Sequence, residues 1–324
     1  MSQLRIRAIT REDAPAVTEL MAAAESVDRT GEHYSLDDVL EDLANPMVDP
    51  QQDWLVVEVG DVLVAHSRLQ PRAPAHGSLS VGLDGTVHPT HRRQGVGSAL
   101  LPAMVRRAEA YVTEKGPDLV PVVTIDALST DTALGAIAGR EGLEPARWEF
   151  GMAADLSRPG SPAPALPPGY TLQTWEGLDE REIREVHNRA FVGHYGFSPW
   201  SEQMWTQWVS GSRSFRPTLS LLARDEEGSV AAYVQTAEFE AHAEATGVRE
   251  AYVAKVGTVP EHRRRGLAET LLAQCLELYR EAGFGRAALD VDSENPTGAL
   301  GLYRRAGFEV EVRWTSYRRE GHPT

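Results

Sequence analysis

The sequence predicts two tandem domains, each with a layered α/β (α+β) fold in which strands and helices alternate around one sheet. Two similar segments, 89–101 and 260–272, lie about 170 residues apart, and each opens a long helical pattern. A second matched pair, 140–143 and 305–308, keeps nearly the same offset. The chain has 324 residues, which is enough for two domains. We therefore assign residues 1–156 to the first copy, 157–169 to a linker and 170–324 to the second copy.

The first copy is predicted to alternate strands and helices along the chain. Apolar and polar residues alternate at 4–9, which predicts a strand, and the pattern at 13–24 predicts an amphipathic helix. The Gly60-Asp61 pair between two apolar runs predicts a tight hairpin turn, because these residue types adopt turn conformations readily. The remaining predicted strands are 53–59, 62–69, 82–87 and 120–127, and the remaining helices are 95–114 and 131–141.

The second copy repeats this order after the linker. Proline and glycine occur too densely in the linker for a helix or a central strand, so we expect an extended, solvated segment. The matching strands are predicted at 218–224, 230–239, 251–259 and 286–291, and the helices at 266–282 and 297–306. Because whole elements correspond, the repeat indicates a domain duplication rather than a short-period array.

Composition and charge argue against several classes of function. The formal net charge is −15 and the pI is about 5.1, so contact with nucleic acid or anionic lipid is disfavoured. No apolar run is long enough to span a bilayer, and the charged N-terminus lacks a signal-peptide core. We expect a cytoplasmic protein with a small-molecule partner. The single cysteine, Cys275, lies on an apolar helical face and is predicted to be a buried hydrophobe rather than a nucleophile.

The strongest chemical signal is a pair of glycine-containing basic segments, each between a strand and a long helix. The first cradle comprises Arg92, Arg93, Gln94, Gly95, Val96 and Gly97, and the second comprises Arg263, Arg264, Arg265, Gly266, Leu267 and Ala268. A helix N-terminus presents unpaired N–H groups and the positive end of the helix dipole to an anion. Glycine adds no Cβ that would block a phosphate, and arginine adds charged donors. The alternative, a basic helix cap without a ligand, is disfavoured by two matched copies, and the Walker pattern is absent.

The order Pro-x-x-Arg-x-x-Gly-x-Gly/Ala between a strand and a helix resembles the coenzyme A motif of the GNAT superfamily of acyl-CoA N-acyltransferases. In the second copy the likeness continues, because Asn295 is followed by Leu302-Tyr303 and Gly307-Phe308. The resemblance covers essentially the whole chain. The tandem arrangement, including the segment 187–191, is further similar to the two-copy members, the mycothiol synthases among them. The resemblance implies that each domain is a mixed, mostly antiparallel sheet flanked by helices, with acetyl-CoA as the donor and no metal.

The resemblance also implies roles for residues of the second copy. A splay between strands 251–259 and 286–291 would hold the pantetheine arm, and a backbone N–H there would stabilise the oxyanion. Tyr303 falls where the family places a general acid that protonates the leaving thiolate, although it could instead be an aromatic packing residue. Asn295 would contact the arm near the thiol. The residues implied to bind the arm and the pyrophosphate are Val256, Gly257, Thr258, Val259, Arg264, Arg265, Gly266, Leu267 and Ala268.

An attacking amine needs a proton acceptor, which the resemblance places near the start of the strand before the second cradle. Glu250 is the nearest match, although it lies two residues farther from Pro260 than in the mycothiol synthase pattern. A bulge could absorb that difference. Glu238 and Glu240 are alternatives. The run from Glu238 to Glu244, which includes His242, could bind a metal, but a solvent-exposed hairpin tip explains it better.

The first copy is predicted to be degenerate. It keeps its cradle and could bind coenzyme A, but Ala138 and Thr130 stand at the tyrosine and asparagine positions. We therefore expect acetyl transfer to a primary amine of a small molecule in the second copy. The alternatives are mycothiol synthase-type acetylation of a cysteinyl amino-sugar conjugate and a non-catalytic acyl-CoA sensor. The resemblance implies that the aromatic segment 191–208 roofs the acceptor site, with most of its rings packed in the core and one or two lining a pocket for the acceptor. The chain could be a monomer or a homodimer.

Overall fold

The computed structural model describes residues 4–160, 162–294 and 298–322. The chain forms two compact units. The N-terminal unit contains Met1–Trp148 together with Arg313–Thr324, and the C-terminal unit contains Glu149–Val312. The two units therefore do not coincide with the two sequence copies, because each unit is completed by a strand from the other copy.

The N-terminal unit alternates strands and helices as the sequence predicts. The Gly60-Asp61 turn forms with Gly60 at φ 65°, and it joins two antiparallel strands. The elements in chain order are β1 (Leu4–Ala8), α1 (Ala14–Asp28), α2 (Leu36–Leu43), α3 (Pro50–Asp53), β2 (Trp54–Val59), β3 (Val62–Pro71), β4 (Ser78–Val87), α4 (Val96–Lys115), β5 (Val120–Leu128), α5 (Thr132–Arg140) and the first part of β6 (Glu144–Asp155).

These strands form a mixed, mostly antiparallel sheet in the order β1-β2-β3-β4-β5, with β4 and β5 as the parallel pair. Its last strand comes from the C-terminal end of the chain, where residues 314–320 pair antiparallel with β5. Helix α4 covers one face of the sheet, and Leu100 and Met104 share an apolar cluster with Val81 and Leu83. Burial of these side chains stabilises the unit and fixes α4 against the end of β4.

The C-terminal unit repeats this architecture. Its elements are the second part of β6, β7 (Thr171–Thr174), α6 (Glu180–Ala190), α7 (Glu202–Trp205), β8 (Leu221–Arg224), β9 (Val230–Ala237), α8 (Glu240–Thr246), β10 (Glu250–Thr258), α9 (Leu267–Glu281), β11 (Arg286–Asp292), α10 (Ala299–Arg305) and the first part of β12 (Glu309–Glu320). The strand order is β6-β11-β10-β9-β8-β7, with β10 and β11 as the parallel pair. Cys275 on α9 is fully buried in the core, as predicted, and burial raises the pKa of its thiol to about 12.

The fold differs from the sequence expectation in several places, and helices α2, α3 and α7 and strand β7 are among the elements that were not predicted. Residues 238–244 do not form a hairpin tip, because 240–246 fold into helix α8, which ends at Gly247 with φ 74°. The long strands β6 and β12 have no counterpart among the predicted elements. In β12 the exposed residues Glu309, Glu311 and Arg313 alternate with half-buried ones, which is the pattern of a strand with one solvated face. Within the described residues, no helix has the length and apolarity that a bilayer span requires.

Candidate active site

The central feature of the C-terminal unit is a splay between its two parallel strands. Strands β10 and β11 pair only over Glu250–Tyr252 and Arg286–Ala288, although both continue for several residues beyond. Over the described residues past that point, the facing backbone groups of β10 and β11 do not bond to each other. A ladder interrupted in this way leaves N–H and C=O groups that an extended ligand can pair with.

A β-bulge lies where the splay begins. On β10, Val253 and Lys255 pair with consecutive residues of β9, so Ala254 is one extra residue in the strand. The bulge that the sequence analysis invoked is therefore present, and it absorbs one of the two extra residues after Glu250. It also places Tyr252 and Lys255 on the same face of the sheet. That face lies opposite the core formed with α9, which contains Val253 and Leu289.

The second cradle connects β10 to α9 through a strained turn. Arg264 has φ 61° and Gly266 has φ 83°, so the chain turns sharply before the helix begins at Leu267. A Cβ built on Gly266 would meet no atom within 4 Å, which leaves open space above the first N–H groups of the helix. Buried Leu267 anchors this end of α9 in the core. The result is an accessible helix N-terminus, which suits a phosphate group.

The three arginines of the second cradle have different contacts. Arg263 is structural: its Nε donates to the Thr258 carbonyl at 3.2 Å, and a terminal nitrogen donates to the Ala190 carbonyl at 2.8 Å. Arg265 is exposed and donates to the Tyr170 hydroxyl at 2.9 Å. Arg264 is exposed and makes no hydrogen bond or ion pair with any described residue. Arg264 and Arg265, the two arginines predicted to bind pyrophosphate, are therefore the two that solvent reaches.

The first cradle has the same backbone geometry in the N-terminal unit. Arg93 has φ 63° and Gly95 has φ 87°, and a Cβ on Gly95 would again meet no atom within 4 Å. Arg92, predicted to bind the ligand, instead makes two hydrogen bonds of 2.6 Å to the Asp28 carboxylate and one of 3.0 Å to the Val87 carbonyl.

The other members of the first cradle divide between exposed and buried positions. The side chain of Gln94 donates to the Thr90 carbonyl at 2.9 Å. Val96 is buried, and a Cβ on Gly97 would lie 3.4 Å from Ile137. Arg93, Gln94 and Gly95 are exposed, so this side of the first cradle faces solvent beside the start of α4.

Tyr303 lies on α10 with its ring in the core of the C-terminal unit. The residue is 8% exposed, and its ring packs edge-on against Phe308 with a centroid distance of 6.1 Å. Its hydroxyl makes no hydrogen bond to any described residue, and burial raises its pKa to about 12. A protonated phenol without a described partner is available to donate to a substrate atom. Asn295, predicted to contact the pantetheine arm, lies outside the described residues.

The strand segment predicted to pair with the donor, Val256 to Val259, lies on the open side of β10. Gly257 leaves room for the ring of Tyr233, since a Cβ there would approach the Tyr233 Cζ to 2.7 Å. The Tyr233 hydroxyl lies 2.6 Å from the Nδ1 of His187 on α6. Burial, aided by the charge of Lys255, lowers the pKa of His187 to about 3, so this imidazole is neutral.

The acidic residues considered as bases are held in ion pairs. Glu250 lies at the closed end of the splay, is 8% exposed, bonds to the Arg286 Nε and lies 3.7 Å from the Nδ1 of His242. Glu238 accepts hydrogen bonds from Arg216 and Arg249 at 2.9 and 2.8 Å. Exposed Glu240 lies 3.3 Å from Arg216. No cluster of three or more potential metal ligands occurs in the described part of the chain.

Aromatic side chains cover the sheet face that carries Tyr252 and Lys255. The His187 ring stacks on Phe191 at 4.7 Å and lies 4.2 Å from Trp200, both as centroid distances. The Nζ of Lys255 lies 6.0 Å from the Trp200 ring centroid. This cluster lies where the sequence analysis expected a roof over the acceptor site. The further aromatic members are Phe197, Trp205, Trp208 and His194.

Sequence reasoning missed polar residues on this same face. Tyr252 donates a hydrogen bond of 2.7 Å to Asp290 on β11, and Asp290 is exposed. The missed residues lie at the mouth of the splay or beside it, and they are Tyr252, Lys255, Asp290, His187 and Tyr233. The alternation of Asp290 and Asp292 with buried Leu289 and Val291 was a usable signal, because it assigns both acids to the face opposite the core.

Comparison with known proteins shows the family of this chain. The model of the acetyltransferase (GNAT) family matches residues 15–115 and 180–308. The mycothiol acetyltransferase of Clavibacter sepedonicus is 31% identical over 76% of this chain and 75% of its own length. That of Salinispora arenicola is 29% identical over 97% of this chain and 95% of its own length.

Solved structures share the fold over the whole chain. The GCN5-related N-acetyltransferase from Sphaerobacter thermophilus superposes with a TM-score of 0.74 at 29% identity, over 99% of this chain and 96% of that one. A tandem GNAT protein from the clavulanic acid biosynthesis pathway superposes with a TM-score of 0.72 at 21% identity, over 99% and 100% of the two chains. The second likeness supports the tandem architecture alone.

Proposed function

The chain belongs to the GNAT family of N-acetyltransferases, and from that premise we propose that its C-terminal unit transfers an acetyl group from acetyl-CoA to a primary amine of a small molecule. The observation that carries the proposal is the combination, in one unit, of a splayed strand pair, an open helix N-terminus and the Tyr303 hydroxyl, which has no hydrogen-bond partner among the described residues. The first two fit a donor with an extended arm and a diphosphate. The third supplies an acid for the leaving group.

The donor would be held mainly by backbone groups. The N–H groups at the start of α9, with the Arg264 and Arg265 side chains, would bind the diphosphate. The unpaired edge of β10 from Val256 to Val259 would bond to the pantetheine amides. A backbone N–H at the bulge would stabilise the negative charge that develops on the thioester oxygen. Fixing the thioester beside the amine supplies much of the rate enhancement by proximity.

The choice of the C-terminal unit rests on Tyr303. Its phenol would protonate the sulfur as the C–S bond breaks, which makes coenzyme A a better leaving group. The matching position in the N-terminal unit is Ala138, which is fully buried in α5 and has no acidic group that could donate a proton. The first cradle could still bind a donor, so we propose a structural or regulatory role for that unit.

A second candidate function is favoured by the relatives. Two proteins named mycothiol acetyltransferase share 31% and 29% identity with this chain over most of their length. We therefore include a cysteinyl amino-sugar conjugate among the acceptors to be tested. Glu250 remains a predicted base for this reaction, although its ion pairs and its position at the closed end of the splay favour another group.

The test separates the two units with a matched pair of variants, Gly266→Trp and Gly95→Trp. Both Cβ positions face open space, so the indole fills the corresponding cradle in each case, and because both glycines have positive φ the backbone strain of the two substitutions is matched. Acetyl-CoA is titrated by calorimetry, and thiol release is followed with amino acids, polyamines, aminoglycosides, amino sugars and a cysteinyl glucosamine conjugate. We expect turnover to disappear in Gly266→Trp and to persist in Gly95→Trp.

Three outcomes contradict the proposal in different ways. Turnover that persists in Gly266→Trp and disappears in Gly95→Trp assigns catalysis to the N-terminal unit. Tight acetyl-CoA binding without transfer to any of these acceptors supports a non-catalytic sensor. No binding of acetyl-CoA by the wild-type protein refutes the donor assignment itself.

A further inference from the structure

We propose that Asp290 is the group that removes the proton from the attacking amine, with Tyr252 as its positioning residue. This inference rests on the proposed function and names the base for that reaction. Its starting point is the 2.7 Å hydrogen bond from the Tyr252 hydroxyl to the Asp290 carboxylate. That bond joins the two strands at the point where they separate.

The strand register places Asp290 at the mouth of the splay. The last parallel pair between the strands is Tyr252 with Ala288, and Asp290 is the next residue of β11 on the same face. Residues of β11 that point to the other face, Leu289 and Val291, are buried in the core that contains Tyr303. The carboxylate and the phenol therefore belong to opposite faces of the sheet. A thioester held in the splay would have the base on its acceptor side and the acid on its core side.

Burial distinguishes Asp290 from the other acids. Asp290 is exposed, so it can meet an incoming ammonium and return its proton to solvent. Glu250 is buried at the closed end between Arg286 and His242. Asp292, two residues farther along the same face, accepts the Glu294 N–H at 2.8 Å and so closes a turn. Only Asp290, among the described acids of this strand face, combines exposure with a position next to the last strand pair.

Tyr252 and the bulge hold this carboxylate in place. The Tyr252 ring packs edge-on against Phe239 at a centroid distance of 5.8 Å, which fixes the direction of its hydroxyl. The hydroxyl bonds to Oδ2 of Asp290. Charged side chains also approach this face from every neighbouring element. They belong to Lys255 and Glu250 on β10, Arg286 and Asp292 on β11, Glu311 on β12, which bonds to Arg286, and Glu149, which lies opposite Asp292 in the register of β6.

The protons balance in a simple sequence. An N–H bond of the ammonium breaks and its proton joins the Asp290 carboxylate, which frees the nitrogen lone pair. The lone pair forms the C–N bond at the thioester carbonyl, and the C–S bond then breaks with its electron pair on sulfur. Tyr303 gives its proton to that sulfur and regains one from the nitrogen of the adduct through water. Asp290 releases its proton to solvent, so one ammonium yields one amide, one thiol and one proton.

The test compares two amines of nearly equal size, ethylamine and trifluoroethylamine, used as small probes with acetyl-CoA. The fluorine atoms lower the basicity of the amino group, so trifluoroethylamine is largely unprotonated at pH 7. It therefore needs no base to remove a proton before it attacks. We expect Asp290→Asn to lower kcat/KM for ethylamine by about a hundredfold or more, the size of a lost general base. For trifluoroethylamine the loss should stay below about tenfold.

The matched control is Asp292→Asn, the same substitution two residues along the strand, which keeps an oxygen for the Glu294 N–H. It should change neither amine's kcat/KM by more than about threefold. Tyr252→Phe removes the hydrogen bond that favours the ionised carboxylate, so the acidic limb of the ethylamine pH profile should move to higher pH. Acetyl-CoA affinity and thermal unfolding are measured for each variant to show that the donor site is intact.

Specific outcomes overturn the assignment. Equal losses for both amines in Asp290→Asn would mean that the residue supports the structure and does not take the proton. Wild-type rates in Asp290→Asn, with a selective ethylamine loss in Glu250→Gln, would assign the base to Glu250. A wild-type protein that acetylates neither these probes nor any acceptor of the wider panel overturns the proposed function, and this inference with it.

Discussion

Replacing Tyr303 with phenylalanine removes only the hydroxyl group, so it distinguishes a role of Tyr303 in packing from a role in catalysis. The ring stays, so the edge-on contact with Phe308 and the burial in the core are kept. The hydroxyl has no hydrogen-bond partner among the described residues, so its removal breaks no bond to them. We therefore expect the free energy of unfolding to change by less than about 0.5 kcal/mol, whereas loss of a bonded buried hydroxyl costs about 1 kcal/mol. Alanine is unsuitable, because the cavity would cost about 3–5 kcal/mol.

The catalytic effect should be far larger than the effect on stability. Loss of a general acid lowers kcat by about 10²–10⁴-fold, which corresponds to about 3–5 kcal/mol in the activation free energy. Because the pKa of Tyr303 is raised to about 12, the phenol stays protonated and the wild-type rate should not fall on the alkaline side until near that value. The assay combines thiol release, acetyl-CoA calorimetry and thermal unfolding. An unchanged kcat in a stable Tyr303→Phe protein would show that Tyr303 only packs.

Three further predictions concern stability. Gly257→Ala should destabilise the C-terminal unit by about 1–3 kcal/mol in urea titrations, because the fully buried, hydrogen-bonded Tyr233 ring cannot move away; an unchanged midpoint would contradict this. Gly139→Ala should stabilise α5 by about 0.5–1 kcal/mol in thermal unfolding, since a Cβ there meets no atom within 4 Å. Gly135→Ala is the control, because its Cβ would meet the Tyr317 hydroxyl at 2.5 Å and the stabilisation should be lost. His187 binds a proton more weakly in the folded protein than in the unfolded chain, because its pKa is lowered to about 3. Its contribution to the free energy of unfolding is therefore complete above about pH 6.5, and it falls by up to about 1.4 kcal/mol for each pH unit below that. His187→Asn should remove this part of the acid sensitivity, and an identical pH dependence of unfolding in both proteins would refute it.

The fold class and the backbone turns of the two cradles were readable from the sequence because they depend on local signals. Gly95 and Gly266 cap their helices at positive φ, and the duplicated motif predicted both turns. The splay follows from the parallel strand pair that the family fold implies. Buried Cys275 was equally readable from its apolar helical neighbours. The two turns and the burial of Cys275 are fixed by residues close together in the chain, whereas the splay was implied by the family resemblance.

The side chains around the splay were not readable, because they depend on contacts between distant segments. Glu250 was the nearest match to the base that the resemblance implies, although its distance to Pro260 was two residues too long, and Arg286, which lies 36 residues later, holds its carboxylate. Tyr252 and Asp290 are separated by 38 residues, and only the strand register brings them together. Arg92 was predicted to bind the ligand like the other cradle arginines, but in the structure it forms an ion pair with Asp28 at the end of α1.

The N-terminal unit has the same cradle backbone as the C-terminal unit but different side chains on the matching strand. Asp84 and Lys255 both lie three residues before the end of the strand that leads to a cradle. In the N-terminal unit, Asp84 bonds to Arg68 at 2.8 Å, and Arg68 also pairs with Asp42 on α2, so two carboxylates share one guanidinium on this face.

The cradle of that unit is nevertheless intact, because it is made by backbone conformation and one glycine. If Tyr303 is the acid, as proposed, a single substitution at its position would remove the chemistry and leave the backbone that forms the cradle unchanged. A cradle is therefore evidence for a donor site and not for turnover, and catalysis by each unit has to be tested through the side chains around its sheet.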